Sequence, residues 1–206
     1  MKTSEPLRDT PLSRRQWIRS GLTVCGSLAL GGLALAADAP VPAGYTQPAP
    51  VTDLSLAPGM QSRVITWHHG FEKSYAVIFG KGDEVLSGLT AFAIRERITG
   101  GSFTAIGSFQ KAKFGWFDSS CNAFRDIPID QQVELVSFAG DVGLVNNRPV
   151  VHAHAAVAFP DGSVHGGHVL NAFVWPTMEL FFTAYSTKLV KKLDKQTQLY
   201  LFDLKA

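Results

Sequence analysis

The chain has 206 residues, of which 46% are hydrophobic and 17% are charged, and its formal net charge at pH 7 is +2. This length supports one good core and is too short for two large domains, and the apolar content excludes a disordered chain. We therefore expect one globular domain.

Residues 1–36 predict an export signal. Arg14 and Arg15 precede a mildly apolar run over 21–36, which is typical of a secretory signal rather than a membrane span. The arginine pair and the residues after it resemble the twin-arginine pattern, whose machinery exports folded proteins across the bacterial inner membrane. The sequence therefore predicts a periplasmic or secreted protein that meets this machinery during export and keeps no stable membrane anchor.

Cleavage after Ala36 changes the charge of the chain. It removes five of the 19 Lys and Arg residues and two of the 17 Asp and Glu residues, which leaves 14 basic and 15 acidic residues and a net charge of −1. Nucleic-acid affinity depends on an excess of positive charge. The composition of the mature chain therefore disfavours nucleic acid as a partner.

The remaining elements follow in chain order. Residues 37–59 carry prolines from Pro40 to Pro58, which predict an extended tether, and residues 60–206 form the domain. Asp83 can cap a helix that runs to about Arg97. Strands are predicted over 62–68, 74–80, 102–109, 111–118, 132–139, 149–159, 163–174, 178–186 and 197–203. Because most are too closely spaced for parallel crossovers, the fold class is α+β, a mostly antiparallel sheet with one main helix.

Four of the six histidines lie between residues 152 and 168. His152 and His154 are two residues apart on a predicted strand, so their side chains share a face and can grip one metal ion. A turn at 160–163 brings His165 and His168 back beside them.

The loop length decides which of the two returning histidines joins the pair. A two-residue loop, Asp161-Gly162, puts His165 on the shared face, whereas a three-residue loop with Gly162 in a left-handed bulge pairs residue 154 with His168. Both registers stay open at the level of sequence.

The histidine segment HAHAAVAFPDGSVHGGHVL, with VELVSFAGDV before it and TMELFFTAY after it, resembles the PPC domain that plants and prokaryotes share. The resemblance covers residues 60–206. It implies a compact α+β domain that assembles as a homotrimer, with Zn²⁺ or another divalent metal on His152, His154 and His168. Plant members of the family bind DNA through a separate basic segment, which this sequence lacks.

Three neutral imidazoles and a water form an open zinc site, which lowers the pKa of the water and polarises carbonyl groups. The first hypothesis is therefore that the protein binds a small carbonyl or carboxylate compound or acts on it, in the latter case as a metal-dependent lyase or hydrolase. Catalysis would need a proton donor, for which His165, Glu134 and Glu179 are the candidates.

Three other interpretations remain. The protein is a non-catalytic binding module whose metal braces the assembly, or it binds DNA like the plant relatives, which the export signal and the mature charge disfavour. The simplest interpretation is that the histidines are hydrogen-bonded or solvated residues on a strand.

Overall fold

The computed structural model describes residues 40–47, 49–68 and 70–205. The predicted export signal over 1–36, with Arg14 and Arg15, lies outside these residues, as do residues 37–39 of the predicted tether. Among the described residues, no helix combines the length and the apolar character needed to cross a membrane.

One antiparallel sheet organises the domain. Eight strands follow the order β1-β5-β4-β6-β7-β8-β3-β2, and an additional pairing of β4 with β8 closes β4, β6, β7 and β8 on one another. The strands are β1 Tyr45–Thr46, β2 Gln61–His68, β3 Glu72–Phe79, β4 Gly101–Asp118, β5 Ala123–Ile129, β6 Val133–Val145, β7 Arg148–Ala158 and β8 Val164–Tyr185, with β9 Lys191–Leu193 and β10 Tyr200–Phe202 in a separate pair. The predicted fold class, α+β with a mostly antiparallel sheet, is confirmed.

Two strands are much longer than predicted. β4 takes in both segments expected over 102–109 and 111–118, and β8 takes in those expected over 163–174 and 178–186. Register shifts interrupt their pairing without ending the strands, for example beside Gly107. A Cβ atom at Gly107 would lie 2.5 Å from the carbonyl oxygen of Thr177, so glycine allows the two backbones to come together there. The sequence pattern also missed β5.

The helix α1, Val85–Arg95, covers one face of the sheet with its apolar stripe. Leu89 and Phe92 are fully buried, and the ring of Phe92 meets Tyr75 and Phe182 edge-on at centroid distances of 5.1 and 5.4 Å. Such contacts fix the helix against the sheet through the burial of aromatic surface.

The capping residue of α1 differs from the prediction. Glu84, not Asp83, is the N-cap, and its carboxylate accepts a hydrogen bond from the backbone nitrogen of Ser87 at 2.6 Å. The carboxylate of Asp83 accepts instead from the backbone nitrogens of Gly59 and Gly80, each at 2.9 Å. Asp83 therefore ties the chain before the domain to the loop that precedes the helix.

The described part of the proline-rich segment packs on the domain, which differs from the tether that its prolines predict. Tyr45 pairs with Arg125 of β5. The hydroxyl of Ser87 donates to the carbonyl oxygen of Asp53 at 2.7 Å. Proline removes a backbone donor but leaves carbonyl oxygens as acceptors, so partners on the domain can still hold the segment.

Candidate metal centre

Three histidine side chains converge where β7 meets β8. His154 of β7 pairs directly with His168 of β8, and His152 lies two residues before His154 on the same face. The ring centroids are 5.1 to 5.4 Å apart. One nitrogen from each ring can be chosen so that all three lie within 4.8 Å of one another.

The hairpin loop selects His168 over His165. The backbone nitrogens of Phe159 and Gly162 donate to the carbonyl oxygens of Ser163 and Phe159, both at 2.9 Å, and Gly162 has a φ of +81°. This is the three-residue loop with a left-handed glycine, one of the two alternatives that the sequence left open.

His165 lies outside the histidine cluster. It pairs with Val157, which is an odd number of residues from His154, so His165 faces the opposite side of the hairpin. Its ring packs beside Phe159 at 4.8 Å. The structure therefore does not bring this candidate proton donor to the other three histidines.

Neither glutamate candidate lies beside the cluster. Glu134 pairs with Ala158 of β7. Ala158 is four residues from His154, a distance of about 13 Å at the usual rise per residue of a strand. Glu179 pairs with Ile106 and lies eleven residues along β8 from His168. The sequence could not exclude them because strand pairing decides which side chains meet.

Two glycines let β8 enter the site closely. A Cβ atom at Gly166 would lie 2.1 Å from the carbonyl oxygen of Ala155, and one at Gly167 would lie 2.7 Å from that of Gly115. Any larger residue would push β8 away from β7 or β4. The glycine pair before His168 therefore allows the backbone of β8 to pack closely against both strands.

His168 is the most enclosed member of the cluster. Its ring stacks on Phe124 at a centroid distance of 4.2 Å. Burial, together with the charges of His152, His154 and Lys191, lowers the pKa of His168 to about 3. Its Nδ1 atom is buried and has no hydrogen-bond partner among the described residues.

His154 shows the same tendency in a weaker form. Burial and the neighbouring His152 lower the pKa of His154 below its ordinary value. Both shifts favour the neutral imidazole, which is the form that binds a metal ion.

Asp141 lies next to His152 of the cluster and forms an ion pair with Lys191. The Nδ1 atom of His152 lies 3.4 Å from Oδ2 of Asp141, and Nζ of Lys191 lies 2.5 Å from Oδ1. Burial alone would raise the pKa of Asp141, but the hydrogen bonds and charges of His152 and Lys191 hold it below its usual range. A carboxylate behind a ligating histidine orients the ring and makes it a better donor.

Sequence reasoning missed this support. Asp141 is directly opposite His152 in the pairing of β6 with β7, so the contact could have been inferred from the sequence if the register of these strands had been known. The Lys191 side chain is only 3% exposed, and nothing in its sequence context predicts burial.

A cleft of about 340 Å³ opens beside His152 and His168. Its walls carry Lys113, Lys191 and Asn171 together with mostly apolar side chains, including Val51, Leu86, Val151, Val169 and Leu201. The volume lies at the small end of the usual range for ligand pockets, about 300–1,000 Å³. The histidine cluster therefore borders a space that can admit a small molecule.

Residues 68–186 match the Plants and Prokaryotes Conserved (PCC) domain, the family that the histidine segment resembles. The chain belongs to this family. Its histidine cluster and the whole of β3 to β8 lie within the matched part of the PCC domain. No curated protein matches the chain.

Solved structures of three proteins are similar to this PCC domain. A candidate DNA-binding protein from Ralstonia eutropha is 29% identical, with 63% of this chain and 90% of that chain covered and a TM-score of 0.60. A plant- and prokaryote-conserved protein from Pyrococcus horikoshii is 27% identical, with coverages of 69% and 99% and a TM-score of 0.62. A metal-containing protein from Archaeoglobus fulgidus is 23% identical, with coverages of 69% and 96% and a TM-score of 0.59, and shows the shared fold.

Proposed function

We propose that His152, His154 and His168 bind one divalent metal ion, with zinc as the first expectation, and that the centre serves a small carbonyl or carboxylate ligand. The convergence of the three rings carries this proposal. In a tetrahedral zinc site with Zn–N distances of about 2.0–2.1 Å, the nitrogens lie about 3.4 Å apart. Small side-chain rotations would bring the three nitrogens to that spacing.

The donor set and its surroundings fit such an ion. Imidazole nitrogen suits zinc, copper, iron and nickel, whereas calcium and magnesium prefer oxygen. The lowered pKa values of His154 and His168 keep both rings available as donors. A bound ion would also interact favourably with the negative charge of Asp141, 3.4 Å behind His152.

The cleft supports a role in ligand binding as well as in structure. Three histidine ligands would leave one coordination position of the metal ion for water or a substrate. The bound ion would act as a Lewis acid towards a carbonyl oxygen in that position. His152 and His168 line the cleft, so such a position would be accessible to a small molecule. Because His165, Glu134 and Glu179 lie outside the cluster, binding is better supported than lyase or hydrolase chemistry.

Two parts of the proposal rest on the sequence. The twin-arginine pattern at Arg14 and Arg15 supports export to the periplasm, and the family resemblance supports a homotrimer. A metal that only braces the assembly is the competing role. It would be fully ligated by protein and buried at a subunit contact.

Elemental analysis of the purified protein tests the metal centre. We expect close to one transition-metal ion per chain in the parent protein and a strong loss in His152→Ala. His165→Ala is the matched control because it removes a histidine from the same hairpin but from the opposite face, so its metal content should be unchanged. Absence of metal from the parent protein would overturn the proposal, and a monomeric molar mass in the same preparation would remove the trimer.

DNA binding is the second candidate, because the similar protein from Ralstonia eutropha, among others, carries that description. The mature net charge of −1 argues against it. Binding driven by phosphate contacts weakens steeply as salt rises. A gel-shift titration at increasing salt concentration would support DNA binding only if the protein binds DNA and the affinity falls steeply as the salt concentration rises.

A further inference from the structure

The charges that line the cleft are of one sign. Apart from the histidines, its ionisable lining residues within the described part of the chain are Lys113, Lys191 and Tyr200, and no carboxylate is among them. Lys191 is buried against Asp141. Lys113 is more accessible, with 37% of its side chain exposed, although its Nζ lies 3.1 Å from Oδ2 of Asp126.

Lys113 shares a wall of the cleft with the histidine cluster. In the pairing of β4 with β8, Gly115 is opposite His168 and Lys113 is opposite Asn171. Lys113 and Gly115 are two residues apart, so both face the side of the sheet on which the His168 ring lies. An ammonium group and the imidazole cluster therefore border the same space.

The rest of the cleft is largely apolar, and part of it comes from outside the matched family domain. Leu86 and Val151 belong to the matched range 68–186, whereas Val51 and Leu201 precede and follow it. A purely hydrophilic ion would gain nothing from these side chains. A molecule with an apolar body would bury surface against them.

We propose that the cleft binds a small carboxylate with an apolar body and that Lys113 is the residue that selects the anionic head group. The inference rests on the proposed metal centre only for the position of that head group beside the histidines. Val51 and Leu201 contact the apolar body, so the segments that flank the matched domain determine which bodies fit.

Calorimetric titration of the metal-loaded protein with straight-chain acids from acetate to octanoate, and with the matching alcohols, tests this proposal. Each methylene that enters the cleft contributes about 0.8 kcal/mol, which is roughly a fourfold gain in affinity. We expect this gain until the cleft is filled and a preference of about tenfold or more for each acid over its alcohol. Acids that bind no better than alcohols would overturn the proposal.

Variants of two neighbouring lysines locate the selectivity. Lys113→Gln should remove most of the preference for acids while leaving the affinity for alcohols unchanged, and Lys113→Arg should retain the preference. Lys111→Gln is the control, because Lys111 lies on the same strand over the ring of Phe173 and does not line the cleft. Equal effects of Lys111→Gln and Lys113→Gln would overturn the assignment.

The metal content of the same samples separates this inference from the proposed function. If the protein holds no metal but binds acids in a Lys113-dependent way, the proposed metal centre fails and the inference stands. If the protein holds metal and binds none of the acids, the inference fails alone.

Discussion

Asp141→Asn tests whether the residue behind His152 contributes to metal affinity. The substitution keeps the shape of the side chain and removes its charge. In the parent protein, Asp141 lies between Nδ1 of His152, at 3.4 Å, and Nζ of Lys191, at 2.5 Å. The variant therefore changes the electrostatics of the histidine cluster without opening a cavity.

The expected loss of affinity follows from this geometry. Removing a hydrogen-bonded partner behind a metal ligand costs about 10- to 100-fold in affinity, or about 1.4–2.7 kcal/mol. The 3.4 Å separation is long for a hydrogen bond, and 26% of the Asp141 side chain is exposed. We therefore expect a loss near the lower end, about tenfold.

The same variant should also lower the free energy of unfolding. It leaves the ammonium group of Lys191, whose side chain is 3% exposed, without its charged partner. Breaking a buried ion pair costs about 3–5 kcal/mol. Because the amide oxygen of asparagine still accepts a hydrogen bond, we expect about 3 kcal/mol or less.

Two assays measure these quantities separately. Competition with a chromophoric chelator gives the zinc affinity, and urea denaturation of the metal-free protein gives the free energy of unfolding. Asp126→Asn is the matched control, because the carboxylate of Asp126 pairs with Lys113 at 3.1 Å and not with one of the three histidines. It should lower stability and leave zinc affinity unchanged.

Unchanged zinc affinity in Asp141→Asn would refute the orienting role that we assign to Asp141. An equal loss in Asp141→Asn and Asp126→Asn would refute it as well, because the effect would then be one of general stability. Only a loss confined to Asp141→Asn agrees with the proposed support of His152.

Three further predictions concern the packing and the protonation of the domain. Gly166→Ala should lower the free energy of unfolding by about 3 kcal/mol, because the added Cβ would lie 2.1 Å from a backbone oxygen. Gly162→Ala should cost only about 1–2 kcal/mol, because only the φ of +81° is unfavourable there. Equal costs of the two variants in urea denaturation would contradict the close approach of the strands at Gly166. In the metal-free protein, the pKa of His168 is about 3 when the chain is folded and 6.5 when it is unfolded. Between these two pH values the unfolded chain binds one more proton than the folded chain. The free energy of unfolding therefore falls by up to about 1.4 kcal/mol per pH unit as the pH drops from 6.5 to 3. His168→Asn should flatten this decline in denaturation curves at stepped pH, and an unchanged slope would refute the shifted pKa. Leu89→Ala should lower the free energy of unfolding by about 2–5 kcal/mol in thermal or urea denaturation. Ile94→Ala should lower it by less than about 1 kcal/mol, because Ile94 is 47% exposed. Similar losses in the two variants would contradict the helix face that we assign to the sheet.

Local patterns predicted the elements that depend on near neighbours. The apolar stripe of α1 follows the period of a helix, so its face toward the sheet could be inferred from the sequence. Alternating residues likewise predicted most of the strands. The N-cap was misplaced by one residue because Asp83 and Glu84 are both acidic, and the contacts of Gly59 with Asp83 decide between them.

Long-range contacts decided the elements that were mispredicted. The strands β4 and β8 continue through irregular positions because each is paired along its length with the other. The segment that contains Asp53 packs on the domain because Ser87 supplies a hydrogen bond to it. None of these partners lies within a few residues in the sequence, so no local pattern could identify them.

The sequence by itself determined that His152 and His154 share one face, because the side chains of a strand alternate with a period of two residues. It also narrowed the third member of the cluster to His165 or His168. The family resemblance pointed to His168, but strand geometry alone left both histidines open, and the tertiary structure decided for His168 through a three-residue loop and two glycines that admit β8 between β7 and β4. The physical reason is that side-chain direction follows from local backbone geometry, whereas register and the approach of Asp141, Lys191 and Lys113 depend on the packing of distant strands.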